Sequence, residues 1–223
     1  MKKFELTAEF VTNVFGKKLF RIKALVAFGD VEKGELGGFI EKEDNLSHDG
    51  NAWVYGDAWV YGDAWVYGNA QVSGNAWVSG DARVSGNARV SGNAWVYGDA
   101  WVYGDAWVYG NAQVYGDAWV YGNAQVYGNA QVSGNAWVSG NAWVSGDADY
   151  AAVAGFGRYS RTTTFFRCKD KILRVQCGCF YGDLAQFREI VKKTHGDSKY
   201  AKEYLAIADL MELHFSDECG GEQ

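Results

Sequence analysis

The sequence from Asn51 reads NAWVYG-DAWVYG-DAWVYG-NAQVSG-NAWVSG-DARVSG (residues 51–86) and keeps the same six-residue step to Gly146. This stretch contains sixteen hexads and no insertion. Each hexad has Asn or Asp first, Ala second, Val fourth, Tyr or Ser fifth and Gly sixth, whereas the third residue is Trp, Gln or Arg. A period this regular indicates stacked structural units, each of which is completed by its neighbours.

The hexad predicts a short β-strand followed by a corner. Side chains alternate along a strand, so Ala and Val point to one side, and the third and fifth residues point to the other. The Gly-Asn and Gly-Asp steps tolerate positive φ and therefore favour a corner. A helix is excluded because each recurring Gly would cost about 1 kcal/mol. Three hexads complete one coil, which stacks about 4.8 Å from the next.

The register Val-x-Gly-Asn/Asp-Ala-x over roughly residues 50–150 resembles the hexapeptide repeat of left-handed parallel β-helix proteins, which include many trimeric acyltransferases. The resemblance implies the left hand of the coil, which periodicity alone does not reveal, and a parallel trimer. Three flanking segments are similar to those of uncharacterised phage and prophage proteins, namely Leu36–Ser47 (LGGFIEKEDNLS), Thr162–Arg167 (TTTFFR) and Thr194–Leu205 (THGDSKYAKEYL).

We therefore expect a mainly β protein, a single-stranded left-handed parallel β-helix with three hexads per coil. An N-terminal β-hairpin cap and a small C-terminal α/β cap would close it, because an open coil invites further stacking. The expected boundaries are 1–46 for the N-terminal cap, 47–153 for the β-helix and 154–223 for the C-terminal cap.

Local patterns predict the elements of the two caps. Residues 4–30 alternate as a hairpin, and Ile172–Cys179 has strand character. A helix is predicted over Asp183–Thr194, with Asp183 as its N-cap and Leu184, Phe187, Ile190 and Val191 on its apolar face. A second helix is predicted over Ser198–Phe215, with Tyr204, Ile207, Ala208 and Met211 on its apolar side.

Composition places the protein in a reducing, membrane-free setting. No run of about eighteen apolar residues occurs, so no membrane association is expected. The start MKKFELTAEF lacks an apolar signal region, so we expect a cytoplasmic protein, of a bacterial host if the origin is a phage. The four cysteines, predicted to be reduced thiols, all lie in the last quarter: Cys168, Cys177, Cys179 and Cys219.

Charge is unevenly distributed along the chain. Residues 51–149 hold eight Asp and two Arg, a net charge of −6, whereas residues 158–202 hold eleven basic and four acidic residues, a net charge of +7. An acidic barrel disfavours duplex nucleic acid as a partner, but the basic tail is suited to an anion.

Sorting the hexads modulo three assigns the third residues to three faces. The first face carries Trp53, Gln71, Arg89, Trp107, Gln125 and Trp143. The second carries Trp59, Trp77, Trp95, Gln113 and Gln131, and the third carries Trp65, Arg83, Trp101, Trp119 and Trp137.

Half-burying four such tryptophan rings would contribute on the order of 10 kcal/mol before association costs. We therefore predict an oligomer interface at Trp65, Trp101, Trp119 and Trp137, and at Trp59, Trp77 and Trp95. The alternative is that part of a ladder stacks sugars or bases.

An Arg/Thr cluster is the best candidate for a ligand site. Guanidinium groups and hydroxyls suit phosphate or carboxylate, and a nearby ring can stack on a base. The predicted ligand-binding residues are Arg158, Arg161, Thr162, Thr163, Thr164, Phe165, Arg167 and His195. The alternative is a strand edge whose arginines neutralise the acidic barrel.

The sequence contains no recognisable catalytic set. The acyltransferase family uses a histidine base, but the hexads contain no histidine, and His48, His195 and His214 lie outside them. The spacing of Cys168, Cys177 and Cys179 matches no ordinary zinc pattern. We therefore expect no catalytic residues, no cofactor and no metal.

The leading hypothesis is a non-enzymatic trimeric scaffold that binds a small anionic, nucleotide-type ligand, as phage anti-defence sponges do. The alternatives are an acyltransferase, and a structural or carbohydrate-binding solenoid.

Overall fold

The computed structural model describes residues 2–216, apart from the side chain of Asp147. Cys168, Cys177 and Cys179 are free thiols, and Cys219 lies outside the described residues. No helix within residues 2–216 has the length and apolar character needed to cross a membrane.

The N-terminal segment forms the predicted hairpin. Strand β1 (Phe4–Thr12) pairs antiparallel with β2 (Lys18–Ala24), which pairs antiparallel with β3 (Leu36–Ile40). Strand β3 then runs parallel to Trp59–Val60 of the first coil. The hairpin therefore extends one sheet of the solenoid, and a short 3-10 turn at Glu43–Asn45 leads into the first coil.

The hexads form strands β4 to β19, each two residues long, in three parallel sheets. The first face has Trp53–Val54, Gln71–Val72, Arg89–Val90, Trp107–Val108, Gln125–Val126 and Trp143–Val144. The second has Trp59–Val60, Trp77–Val78, Trp95–Val96, Gln113–Val114 and Gln131–Val132. The third has Trp65–Val66, Arg83–Val84, Trp101–Val102, Trp119–Val120 and Trp137–Val138. The prediction of a parallel β-solenoid with three hexads per coil is confirmed.

The interior is built as the hexad predicts. Every Ala and Val of the sixteen hexads is at most 1% exposed. The corner glycines from Gly56 to Gly140 have positive φ, and at Gly104 (φ +73°) an added Cβ would lie 3.0 Å from the backbone nitrogen of Gly122. The corner therefore requires glycine both for its conformation and for the close approach of the next coil.

The first residues of the hexads stack into columns along the three corners. Two columns are mostly Asn and form amide ladders, in which Asn93 Nδ2 donates to Asn111 Oδ1 at 3.1 Å. The third column, which we call the acidic edge, consists of Asp63, Asp81, Asp99 and Asp117 followed by Asn135. It separates the second face from the third.

Trp53 is the exception among the outward tryptophans. It is fully buried because the N-terminal cap covers it, with the ring of Phe4 at 6.3 Å and that of Phe28 at 5.4 Å. Register alone places this ring outside, and the cap turns it into core.

The C-terminal segment packs a small sheet between the last coils and two helices. The antiparallel strands are β20 (Tyr150–Phe156), β21 (Arg161–Arg167), β22 (Leu173–Cys177) and β23 (Phe180–Asp183). Helices α1 (Leu184–His195) and α2 (Lys199–His214) follow, with Asp183 and Ser198 as their N-caps. The predicted apolar faces are buried except for Ile190, which is 37% exposed and lines a surface cavity.

Candidate functional site

Strand β21 carries most of the predicted ligand residues and divides them between its two faces. Phe165 packs among the helices, edge-on to Phe187 at 6.1 Å. Thr164 and Phe166 face the end of the solenoid, where the Thr164 hydroxyl accepts a hydrogen bond from the Trp137 backbone N–H at 3.0 Å. Strand alternation therefore prevents the TTTFFR residues from forming one cluster.

Three of the predicted ligand residues are buried in protein contacts. Thr163 and Thr164 are 1% exposed and Phe165 is fully buried. The Thr163 hydroxyl donates to Cys177 Sγ at 3.2 Å. Their side chains therefore hold the C-terminal cap together and are not open to a ligand in this conformation.

Arg167 is half-buried and links elements of the cap. Its Nη2 donates to the Phe215 carbonyl at 2.9 Å, and its Nε lies 3.8 Å from Asp149 Oδ1. These contacts connect β21 to the end of α2 and to the exit from the last coil. The arginine thus has a structural position between two parts of the fold.

Arg158, Arg161 and Thr162 remain at the surface. The Arg161 guanidinium lies 4.9 Å above the ring of Tyr159, and that of Arg158 lies 5.5 Å from the same ring. Neither arginine forms an ion pair with a carboxylate of residues 2–216. The Arg161 side chain crosses Gly178 (φ +58°), where an added Cβ would lie 2.7 Å from Arg161 Nη1. Glycine at that turn therefore leaves room for the guanidinium.

Arg161 and Thr162 border a cavity of about 700 Å³ between the solenoid and the C-terminal sheet, which we call the solenoid–cap cleft. Its lining consists of Asn135, Trp137, Arg161, Thr162, Gly178 and Cys179. Sequence reasoning missed Asn135 and Cys179 at this site, because neither belongs to the Arg/Thr motif and only the fold brings them there. The cleft thus joins one wall from the repeat to one wall from the cap.

Trp137 ends a stacked column on the third face. Trp101 and Trp119 are 5.0 Å apart, and Trp119 and Trp137 are 5.1 Å apart, with interplanar angles of 4° and 10°. Trp119 covers one face of the Trp137 indole, and within the described residues no aromatic ring stacks on its other face. The column therefore ends beside the cleft.

A smaller cavity of about 180 Å³ lies on the helix side of Arg161. Arg158, Arg161, Cys177, His195 and Tyr204 are among its lining residues. Burial, followed by the neighbouring Cys177, raises the pKa of Tyr204 to about 12, so this phenol is protonated at neutral pH. His195 lies beside it, with ring centroids 5.8 Å apart. The structure thus brings His195 near the two surface arginines but not into the solenoid–cap cleft.

His48 packs against the N-terminal cap. Its Nδ1 accepts a hydrogen bond from the Lys3 backbone N–H at 3.2 Å, and its ring stacks on Phe4 at 4.3 Å. These contacts are those of a structural histidine. Within residues 2–216, no group of three or more His, Cys, Asp or Glu side chains is arranged to hold a metal ion.

The tryptophan faces are ladders with covered rings. Trp59, Trp77 and Trp95 stack at 5.0 and 4.9 Å, so an internal ring such as Trp77 has neighbours on both sides. Trp65 is 41% exposed and stacks on Tyr67 at 4.1 Å. The stacked columns of the second and third faces therefore present ring edges, and an open ring face is restricted to the ends of a column.

The solenoid matches a family model described as the YdcK beta solenoid repeat, over residues 70–86, 82–98, 112–128 and 130–146. A search of curated proteins finds no significant match to the chain. The matched segments lie within the hexads whose strands form the three parallel sheets. On its repeat, its sheets and these matches, the chain is a β-solenoid repeat protein.

Proposed function

We propose that this β-solenoid is a non-enzymatic scaffold that binds a small anionic, nucleotide-type ligand in the solenoid–cap cleft. One observation carries the proposal: the same cleft is lined by Trp137, the last indole of a stacked column, and by Arg161 and Thr162, and Arg161 forms no ion pair within residues 2–216. A planar base next to Trp137 would continue the column. A phosphate would accept charge-assisted hydrogen bonds from Arg161.

The charge distribution supports an anion at this end of the molecule. The net charge is +7 over residues 158–202 and −6 over residues 51–149. The cleft lies where the two regions meet, and Arg161 has no carboxylate partner within residues 2–216. A bound phosphate would therefore supply the counter-charge that the protein itself does not.

The residues in the cleft favour binding over acyl transfer. Among the described residues, its lining includes no histidine, and His48 is held by Phe4 and Lys3 in the opposite cap. Similarity of the flanking segments to phage proteins extends the proposal to a biological role, in which the protein sequesters a nucleotide immune signal of the bacterial host as an anti-defence sponge.

The proposal includes self-association. The outward tryptophan edges on the second and third faces form long apolar stripes, and such aligned aromatic surfaces are typical of interaction sites. The resemblance to hexapeptide-repeat proteins implies a trimer. Because Trp137 lies on the third face, an interface there would place the cleft beside a neighbouring subunit and repeat it by symmetry.

Calorimetric titration with a panel of nucleotides tests the ligand. The panel comprises AMP, cyclic dinucleotides and ADP-ribose, with inorganic phosphate as the reference for charge alone. We expect saturable binding of at least one nucleotide, weakened at least tenfold by Arg161→Ala and by Trp137→Ala, because each removes one of the two recognition elements.

Arg89→Ala is the matched control for this titration. Arg89 is an exposed arginine that stacks on Trp107 at 5.0 Å on the first face, so its loss should leave binding unchanged. If no member of the panel binds, or if Arg161→Ala binds as the wild type does, the proposal is wrong.

A further inference from the structure

The tip of the β1–β2 hairpin displays two apolar side chains in a fixed conformation. Val14 is 83% exposed and Phe15 is 75% exposed. The turn is held by Asn13, whose Oδ1 accepts hydrogen bonds from the backbone N–H groups of Phe15 and Lys17, both at 3.0 Å. Asn13 is itself only 7% exposed. The tip is therefore a preorganised apolar knob.

The knob overhangs an aromatic groove on the second face. A cavity of about 440 Å³ lies between the tip and a wall formed by Tyr61, Trp77, Ser79, Trp95 and Tyr97. Trp95 is 42% exposed, and Phe10 on the adjoining strand is 45% exposed. Contiguous apolar surface of this kind, combining a protruding and a recessed part, marks an interaction site.

The charges next to the knob and next to the groove are opposite. Lys17 and Lys18 follow the knob directly, where Lys17 pairs with Glu41 at 3.0 Å and Lys18 lies over the ring of Phe10. Asp81 and Asp99 of the acidic edge follow Ser79 and Tyr97 of the groove by two positions. Both carboxylates are exposed, and neither forms an ion pair with any of residues 2–216. The chain thus carries both halves of a complementary surface.

We infer that a second copy of this chain docks here, with the knob of each copy in the groove of the other. Knob and groove occupy the same place on one molecule, so a contact of one knob with the partner's groove brings the reciprocal pair together. Such a self-complementary contact has two-fold symmetry. This inference deepens the self-association proposed above, because it names one contact and its symmetry, and it is independent of the ligand.

Light scattering during gel filtration tests the inference by measuring the mass of the wild-type protein and of Phe15→Ser. We expect the wild type to contain an even number of chains, because the contact joins copies in pairs. Phe15→Ser should have half the wild-type mass, whether or not the chains also associate through another interface. Raising the salt concentration should also shift the wild type towards the smaller species, since the lysines and aspartates attract each other.

Leu213→Ser is the matched control, because Leu213 is 72% exposed but lies on α2, away from the groove. This variant should have the same mass as the wild type. Equal unfolding midpoints in urea would show that Phe15→Ser remains folded. A trimeric wild type whose mass Phe15→Ser leaves unchanged would overturn this inference and leave the proposed trimer standing. A monomeric wild type would overturn both, and nucleotide titration would still decide the ligand separately.

Discussion

The two ends of the solenoid expose opposite halves of the backbone hydrogen bond. Between coils, the N–H groups at the first, third and fifth positions of a hexad donate to carbonyls of the next coil, as Trp101 does to Ala118 at 2.9 Å. The first coil therefore has carbonyls with no preceding coil to bind, and the last coil has N–H groups with no following coil. Buried groups of this kind need partners.

The N-terminal cap supplies hydrogen-bond donors. Asn45 is fully buried, and its Nδ2 lies 2.8 Å from the Ala64 carbonyl and 3.0 Å from the Gly62 carbonyl. Lys3 Nζ lies 2.8 Å from the Ala52 carbonyl. An amide and an ammonium group thus complete the first coil where strand β3 does not reach.

The C-terminal cap supplies hydrogen-bond acceptors. The Thr164 hydroxyl accepts from the Trp137 N–H at 3.0 Å, and Asp149 Oδ2 accepts from the backbone N–H groups of Ser145 at 2.8 Å and Gly146 at 3.2 Å. The comparison teaches that strand direction decides the chemistry of each cap. The two caps are not interchangeable, and both stop further stacking.

Among substitutions in the two caps, Asn45→Asp should have the largest effect on stability. It replaces a buried donor with a carboxylate facing two carbonyl oxygens, which we expect to cost about 3–5 kcal/mol of the free energy of unfolding. Urea unfolding measures the change. Asn93→Asp makes the same substitution on an exposed corner and should cost less than about 1 kcal/mol. Similar losses for the two variants would contradict the importance of donors at the N-terminal end.

The pH dependence of stability tests the burial of the Lys3 ammonium group. Burial lowers the pKa of Lys3 from 10.5 to about 8, so the native state loses this proton at lower pH than the unfolded chain does. Between those values the unfolded state binds more protons, and the free energy of unfolding should rise with pH by up to about 3 kcal/mol. Below about pH 8 both states are protonated, so this contribution is constant.

Urea unfolding from about pH 7.5 to about pH 10.5 measures that rise. Lys3→Met should lack it, whereas Lys2→Met should keep it, because Lys2 is an exposed partner of Glu43. Parallel curves for Lys3→Met and the wild type would show that Lys3 does not carry the effect.

Thr164→Val should have the smallest effect. The change keeps the shape of the side chain but removes the acceptor for the Trp137 N–H, which we expect to cost about 1–2 kcal/mol in urea unfolding. Thr163→Val, one residue away on the other face, removes a donor to a sulfur and should cost about 0.5 kcal/mol, because sulfur is a weak acceptor. A larger loss of unfolding free energy for Thr163→Val than for Thr164→Val would contradict the proposed role of Thr164 as an acceptor.

The candidate site was only partly predictable from sequence. Arg158, Arg161 and Thr162 are surface groups as expected, because charged and short polar side chains flanking a turn remain near water. Thr163, Thr164 and Phe165 were predicted beside them, but the alternation of β21 buries them against the helices and the last coil. Residues adjacent along a strand point to opposite faces, so neighbours in sequence do not form one cluster in space.

The sequence by itself determined the solenoid, its interior and the membership of its three faces. It did so because every hexad repeats the same local choice, and equal steps stack each hexad on the third hexad after it, as Trp59 pairs with Trp77. Tertiary structure alone decided which ring becomes core, as at Trp53, and which segments meet, as Trp137 and Arg161 do across the cleft. The aperiodic caps pack through contacts between residues distant in sequence, and a local pattern carries no information about such contacts.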